Sequence, residues 1–178
     1  MFKIGEYVSY RAEGVCVISD IREESFNAMG KSENYYILTP IKDVNSVLYV
    51  PVNNEFLTSK MQLLLSADEI CALALSLRDE RMEWIPESRA RTNSFREVLM
   101  DGDRRELIIL VNTLVSQMAL FSEQGKKHTS GDENTLKRAK RMLLEEFSAT
   151  TDLSSEEELL LLLKGEHKCN PKSIEMAK

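Results

Sequence analysis

The sequence predicts an α+β fold in which a small β-barrel is followed by an all-α bundle of about five helices. Up to about Leu57, apolar residues form short β-branched and aromatic runs separated by polar stretches, which is typical of strands. Beyond Ser66 they recur at helical spacing. Because strands and helices occupy separate parts of the chain, the pattern disfavours a parallel α/β sheet. We predict a barrel domain at residues 1–60, a helical domain at 61–165 and a flexible tail at 166–178.

The strands are predicted from four short runs of β-branched and aromatic residues, at 8–10, 14–18, 35–38 and 47–52. The stretches between them, at 11–14, 27–34 and 42–46, carry polar or turn-forming residues. Four or five strands of this length favour a strongly bent SH3-like or Tudor-like barrel, because bending hides the edges that a flat sheet would expose.

The beginnings of the helices are predicted from capping sequences, in which a Ser or Asp is followed three residues later by Glu. Four such pairs occur: Ser66 with Glu69, Asp103 with Glu106, Ser130 with Glu133, and Ser154 with Glu157. We expect helices at about 67–84, 87–100, 104–121 and 131–147, and a short fifth helix over the leucines at 159–163. Pro86 should end the first helix near Ile85, and glycines should end the second and the fifth, at Gly102 and Gly165.

Composition limits the possible functions. The net charge of -6 argues against tight, autonomous binding to nucleic acid, which depends on clustered Lys and Arg. The three cysteines, Cys16, Cys71 and Cys169, are far apart and odd in number, which fits neither a disulfide framework nor a paired metal site. No uninterrupted apolar block exceeds six residues, and the five leucines at 159–163 are among the longest, so we expect no membrane partner and a cytoplasmic location.

Catalytic motifs are not found in the sequence. No glycine pattern that cradles phosphate is present, and His128 and His167 fall in a predicted loop and the predicted tail without ligands at metal spacing. None of the cysteines has a histidine nearby in sequence. We therefore expect a protein that is not an enzyme, with no cofactor and no small-molecule substrate.

Basic residues in the helical part are the remaining candidates for a binding site. They are Arg89, Arg91, Arg96, Arg104, Arg105, Lys137, Arg138, Lys140 and Arg141. Two interpretations are open. Over residues 78–147 the two signs of charge nearly cancel, which favours pairing with neighbouring acidic side chains. Alternatively, one helical face presents these residues to a DNA backbone.

Trp84, the single tryptophan, also has two interpretations. It continues the apolar stripe of Ile70, Leu73 and Leu77, which favours a place in the core or between the domains. Its position at a predicted helix end, beside Pro86, would also let it project and wedge at a base step in the minor groove.

The chain resembles the CarD-like family of bacterial transcription regulators. Residues 1–10, 12–18, 35–38 and 50–52 resemble the N-terminal module that this family shares with the transcription-repair coupling factor. Residues 84–85, 89–91, 102–108 and 136–147 resemble the DNA-binding half of CarD-like proteins. Together these motifs cover residues 1 to about 148.

The resemblance implies that the Tudor-like barrel binds the RNA polymerase β subunit, with Arg22, Tyr36, Tyr49 and Pro51 at the contact. It further implies that Trp84 and the basic residues touch promoter DNA at the upstream edge of the transcription bubble and stabilise the open complex. A contact tethered through polymerase gains effective concentration and is compatible with the acidic net charge.

The chain departs from the family pattern in two places. Trp84 lies about one helical turn, roughly 3.6 residues, further from the Gly-Asp pair, and Tyr49 stands where some members carry arginine. Residues 152–165 have no equivalent in the pattern and could cap the bundle or mediate self-association.

An alternative of a different class is a non-catalytic protein-interaction adaptor. In that case the barrel augments a strand of a partner, and the helices bind protein rather than DNA.

Overall fold

The computed structural model describes residues 1–10, 13–26, 32–101 and 103–174. Backbone contacts divide the chain into two units, of which one includes Met1–Leu64 and the other is Leu65–Lys172. The first contains a five-stranded antiparallel sheet and the second contains five helices, so the predicted α+β organisation is confirmed. The boundary lies a few residues beyond the predicted residue 60, because the strand Met61–Leu63 pairs with Tyr7–Tyr10.

The sheet of the first unit has the strand order β4-β3-β2-β1-β5. The strands are β1 (Tyr7–Tyr10), β2 (Val15–Glu24), β3 (Glu33–Pro40), β4 (Leu48–Pro51) and β5 (Met61–Leu63), with a short helix, α1 (Glu55–Thr58), between the last two. All five strands contribute buried side chains to one core: Val8, Tyr10, Cys16, Ile18, Tyr36, Leu38, Val50 and Met61. A single core enclosed by every strand is what the predicted bent sheet requires.

A β-bulge in β2 changes which side chains face outward. The register between β2 and β3 shifts between Ile18 and Asp20, so that Ile18 pairs with Leu38 and Asp20 pairs with Ile37. Uninterrupted alternation from the buried Ile18 would place Asp20 and Arg22 on the core side. The extra residue reverses this, and Arg22 lies exposed on the outer face.

The helices of the second unit surround one apolar core. They are α2 (Ala67–Leu77), α3 (Ser88–Asp101), α4 (Arg104–Glu123), α5 (Ser130–Thr150) and α6 (Glu156–Lys164). The largest buried side chains come from all of these except α3: Ile70, Ile108, Leu110, Leu114, Leu143, Phe147, Leu159, Leu162 and Leu163. Phe95, Val98 and Leu99 bring α3 to the same core.

Helix α4 is long and apolar enough, by length and composition, to cross a membrane, with a mean hydropathy of 1.3 over its most apolar window. The expectation of no membrane partner rested on the shortness of the uninterrupted apolar blocks and did not anticipate a helix that meets this test. In the structure, Leu107, Ile108, Leu110 and Leu114 of this helix are buried in the core of the helical unit. Core helices of globular units commonly pass the same test.

Helix α2 ends at Leu77, seven residues before its predicted end, and the expectation of a helix to residue 84 is wrong. The cause is tertiary. The Asn112 side-chain amide donates to the Leu77 carbonyl at 2.9 Å, and the Met82 backbone N–H donates to the Thr113 hydroxyl at 2.8 Å. These bonds to α4 replace the next helical turn, so Trp84 lies in a non-helical segment.

Two of the four predicted capping boxes are confirmed. Ser66 caps α2 with Glu69, and Asp103 caps α4 with Glu106, each with both reciprocal hydrogen bonds. The other two helices begin one residue from the predicted cap: Thr129 caps α5 and Ser155 caps α6. Gly165 ends α6 with φ of 78°, as predicted, whereas Gly102 lies outside the described residues.

The segment after α6 packs on the helical unit, which corrects the flexible tail predicted from residue 166. The Asn170 side chain donates to Asp152, and the Lys172 backbone N–H donates to the Thr150 carbonyl. Cys169 is buried, and Pro171 bridges to Thr151. Residues 175–178 of the predicted tail lie outside the described part of the chain.

Candidate functional site

The outer face of strands β2, β3 and β4 gathers three of the four predicted polymerase contacts. Arg22 pairs with Tyr35 across β2 and β3, and Tyr35 pairs with Pro51 across β3 and β4. Two residues further along β3, Ile37 pairs with Tyr49. Since side chains two residues apart share a face, Arg22, Tyr49 and Pro51 lie on one side of the sheet.

An exposed aromatic cluster, consisting of Phe26, Tyr35 and Tyr49, forms the centre of this face. The ring centroids lie 5.3 Å apart for Phe26 and Tyr35, 4.9 Å for Phe26 and Tyr49, and 6.3 Å for Tyr35 and Tyr49, each pair edge to face. Phe26 is 59% exposed and Tyr49 is 40% exposed. Aromatic pairs of this kind are worth about 0.5–1.5 kcal/mol beyond burial, so the rings are held in place before any partner arrives.

Arg22 adds a positive charge at the edge of the cluster. Its Nε donates to Glu24 at 2.7 Å, and its Nη1 lies 3.4 Å from Asp20. The hydrogen bond to Glu24 raises the pKa of the guanidinium, which stays charged. Half of the side chain remains exposed, so the group can still meet a partner.

Tyr36 is a core residue, contrary to its predicted place at a polymerase contact. Its side chain is 3% exposed and packs edge to face on Phe2, whose backbone N–H donates to the tyrosine hydroxyl at 3.3 Å. Tyr36 pairs with Ile21 and Val50, on the side of the sheet opposite Arg22. Tyr35 takes its place among the candidates.

Strand β4 forms one edge of the sheet, with β3 as its neighbour. Val47, just before the strand, and Tyr49 on it are both exposed. An edge strand offers backbone N–H and C=O groups to an added strand, and neighbouring side chains provide specificity. Together with the aromatic cluster, this edge forms a surface suited to a protein partner.

Comparison with known protein families assigns this unit. Residues 2–62 match the CarD-like/TRCF RID domain. The match covers the five strands almost to the end of β5, and it confirms the family resemblance of the N-terminal module. Such RID domains are polymerase-interaction modules. No match to the chain was found among curated proteins.

Beyond the RID domain, the helical unit buries two of the arginines that were candidates for DNA contact. Arg91 is 4% exposed, and its Nε and Nη2 donate to the two carboxylate oxygens of Asp132, each at 3.0 Å. Its Nη1 donates to the carbonyls of Ile85 and Pro86. Arg104 is likewise buried, with its Nε 2.8 Å from Glu146. In this arrangement neither guanidinium is available to a phosphate, which removes Arg91 and Arg104 from the candidate surface.

Trp84 is partly buried, and it packs against Arg91 of the Arg91–Asp132 ion pair. The Arg91 guanidinium lies over its ring, 4.3 Å from the centroid, and Phe121 packs edge to face at 5.7 Å. Phe95 lies 6.2 Å away. These contacts support the core interpretation for most of the ring. To wedge at a base step, the Trp84 ring would have to be free to insert, but Arg91 covers one face of it.

The remaining basic residues fall into an exposed group and one paired residue. Arg89, Arg96, Arg105, Lys137, Arg138 and Arg141 are exposed, whereas Lys140 is mostly buried in an ion pair with Glu156. Helices α3 and α5 lie side by side. The Nη2 atom of Arg138 on α5 lies 3.9 Å from the sulfur of Met100 on α3. Arg96 precedes Met100 by one helical turn, and Arg141 follows Arg138 by one turn. Arg96, Arg138 and Arg141 therefore form what we call the α3–α5 basic face.

Groups suited to metal binding are not assembled in the described ranges. No cluster of three or more His, Cys, Asp or Glu side chains there could hold a metal ion. Burial raises the pKa of the Cys16 thiol to about 12, so this thiol stays protonated near neutral pH.

Proposed function

We propose that the protein is a cytoplasmic, non-catalytic transcription regulator of the CarD type. Its RID domain binds the RNA polymerase β subunit, and its helical unit touches promoter DNA at the upstream edge of the bubble and stabilises the open complex. The observation that carries the proposal is the family match over residues 2–62, on a unit whose outer face presents Arg22, Tyr49 and Pro51 together.

The polymerase contact is assigned to the aromatic cluster with Arg22 and Pro51. Tyr and Arg are enriched among the residues that dominate binding energy at protein interfaces. Exposure of Tyr49 and Phe26 leaves apolar surface for a partner to bury, and their mutual packing reduces the entropy cost of binding.

The DNA contact is assigned to the α3–α5 basic face. Arg91 and Arg104 are buried and Lys140 is mostly buried in an ion pair, whereas Arg96, Arg138 and Arg141 are exposed on two adjacent helices, where arginines can contact DNA phosphates. Since the whole chain carries a net charge of -6, this contact requires delivery by the polymerase-bound RID domain.

A matched pair of variants tests the polymerase contact. Tyr49→Ala in the full chain should weaken binding to the purified β subunit about 30-fold, the equivalent of roughly 2 kcal/mol for a central aromatic contact. Phe56→Ala is the control, because Phe56 is an exposed aromatic residue on α1 that does not belong to the aromatic cluster. Equal affinities for the two variants in calorimetry would refute the assignment.

A second pair tests the DNA contact. Arg96→Gln with Arg138→Gln should shorten the lifetime of the open complex and lower the slope of log affinity against log salt by about 0.9 for each phosphate that the variant no longer touches. Lys126→Gln with Lys127→Gln removes the same charge from the exposed segment between α4 and α5. If both double variants behave alike while polymerase binding persists, DNA contact by this face is excluded.

The second candidate function, a protein-interaction adaptor, rests on the pairing of charges in the helical unit. Arg91, Arg104 and Lys140 are engaged with Asp132, Glu146 and Glu156, and Arg141 lies 3.7 Å from Glu145. An adaptor predicts no salt-dependent effect of promoter DNA at all, which the same salt titration measures.

A further inference from the structure

Two cysteines that lie 98 residues apart in sequence meet in the helical unit. The Sγ atoms of Cys71 and Cys169 are 3.4 Å apart, within hydrogen-bond distance for two thiols. Cys71 lies on α2, and Cys169 lies in the segment after α6, residues 166–172, which we call the C-terminal strap. Neither the RID match nor the proposed function gives this pair a role.

Contacts of Cys169 and of the next residue hold the C-terminal strap in place. Cys169 Sγ also lies 3.7 Å from the carbonyl of Ala67, in the first turn of α2. On the next residue, the Asn170 backbone and side chain both donate to Asp152, at 2.8 and 2.7 Å. The strap is thus held against α2 on one side and the end of α5 on the other, with the two sulfurs at the point of contact.

We propose that Cys71 and Cys169 form a disulfide on oxidation, which fastens the C-terminal strap covalently to α2. A disulfide needs the sulfurs about 2.05 Å apart, so they must approach by about 1.4 Å. Side-chain rotation supplies a movement of this size. The bond closes a long loop and restricts the unfolded chain, so it should stabilise the helical unit.

The two thiols have different exposures, which sets the order of the steps. Cys71 is partly exposed, whereas Cys169 is 8% exposed. Burial, and secondarily the neighbouring Cys71, raises the pKa of the Cys169 thiol to about 12, which makes Cys169 a poor first nucleophile. The oxidant therefore reacts with Cys71.

The oxidant that we propose for this reaction is a peroxide. The Cys71 sulfur attacks a peroxide oxygen, the O–O bond breaks, and Cys71 becomes a sulfenic acid. The Cys169 sulfur then attacks the Cys71 sulfur, the S–O bond breaks, and the oxygen leaves as water with the Cys169 proton. With hydrogen peroxide, two thiols are oxidised by two electrons and the peroxide is reduced to two waters.

The experiment titrates the full chain with hydrogen peroxide, blocks the remaining thiols and maps peptides without reduction. The expected product is a cross-link between the peptides that contain Cys71 and Cys169, lighter by two hydrogens, with Cys16 alkylated as in the reduced protein. Trypsin cleavage after the exposed Lys168 should leave the strap peptide attached to α2 until a reductant is added.

Thermal unfolding provides an independent measurement. Oxidation should raise the melting temperature of the helical unit by roughly 10 °C, reversibly with a dithiol. The shift should disappear in Cys71→Ser and in Cys169→Ser and persist in Cys16→Ser, whose thiol is buried in the first unit.

Two results would overturn the disulfide, and a third would overturn its stabilising role. One is oxidation of Cys71 to a sulfinic acid while Cys169 remains alkylated. Another is a cross-link between two copies of the chain, visible as a dimer on a non-reducing gel. The third is a cross-link with no change in the melting temperature, which would remove the stabilising role.

Discussion

Removal of Asp132 measures what the buried ion pair contributes to the helical unit. Asp132 is 3% exposed, and Asp132→Ala leaves the Arg91 guanidinium buried without its counter-charge and without two hydrogen bonds of 3.0 Å. Breaking a buried pair in this way costs about 3–5 kcal/mol. The matched control is Asp79→Ala, because Asp79 pairs with Arg78 at the surface, where such pairs are worth at most about 1 kcal/mol.

Urea unfolding followed by tryptophan fluorescence is the assay. Trp84 is the single tryptophan and is stacked on Arg91, so the signal reports the helical unit without a contribution from the first unit. A double variant, Arg91→Met with Asp132→Leu, should be less destabilised than Asp132→Ala, since no uncompensated charge remains. The reasoning is refuted if Asp132→Ala shifts the midpoint no more than Asp79→Ala does.

Three further predictions concern stability. Burial alone raises the pKa of Asp132, but hydrogen bonds from Arg91 and Thr129 and the charge of Arg91 outweigh it and leave the pKa below the usual 3.8. The stability that the Asp132 carboxylate contributes should be constant above pH 3.8 and should fall as the pH drops through the lowered pKa. Asp132→Asn should remove this pH dependence from the urea midpoints. Asp103→Ala should cost the helical unit about 1 kcal/mol, because α4 then has no side-chain cap, while Asp103→Ser should retain most of that stability in the same assay. Tyr36→Ala should destabilise the first unit by about 3–5 kcal/mol in circular dichroism melts, and Tyr36→Phe by only about 1 kcal/mol.

Features that depend on nearby residues could be predicted from the sequence. The starts of α2 and α4 follow from Ser66 and Asp103, whose side chains bond backbone groups three residues away. The end of α6 follows from Gly165, which takes a left-handed conformation. The segregation of strands from helices follows from the change of apolar period near Ser66.

Features that depend on distant residues could not be predicted. Helix α2 continues in pattern to Trp84, but it ends at Leu77 because Asn112, 35 residues later, takes up the carbonyl of that residue. In the sequence Arg91 is a candidate for DNA contact, but in the structure it is paired with Asp132, 41 residues away. The same distance dependence hides the Cys71 and Cys169 contact.

The proposed polymerase-binding face shows how one local irregularity affects a functional assignment. Tyr35 and Tyr36 are identical neighbours, so composition cannot tell which of them faces a partner. The uninterrupted alternation of β3 from the buried Leu38 puts Tyr36 in the core and Tyr35 on the outer face, and the bulge after Ile18 pairs Arg22 with Tyr35 on that face. A β2 strand without the bulge would leave both tyrosines of β3 in place but would turn Arg22 toward the core. The aromatic cluster and its arginine therefore share one face because β2 contains one extra residue.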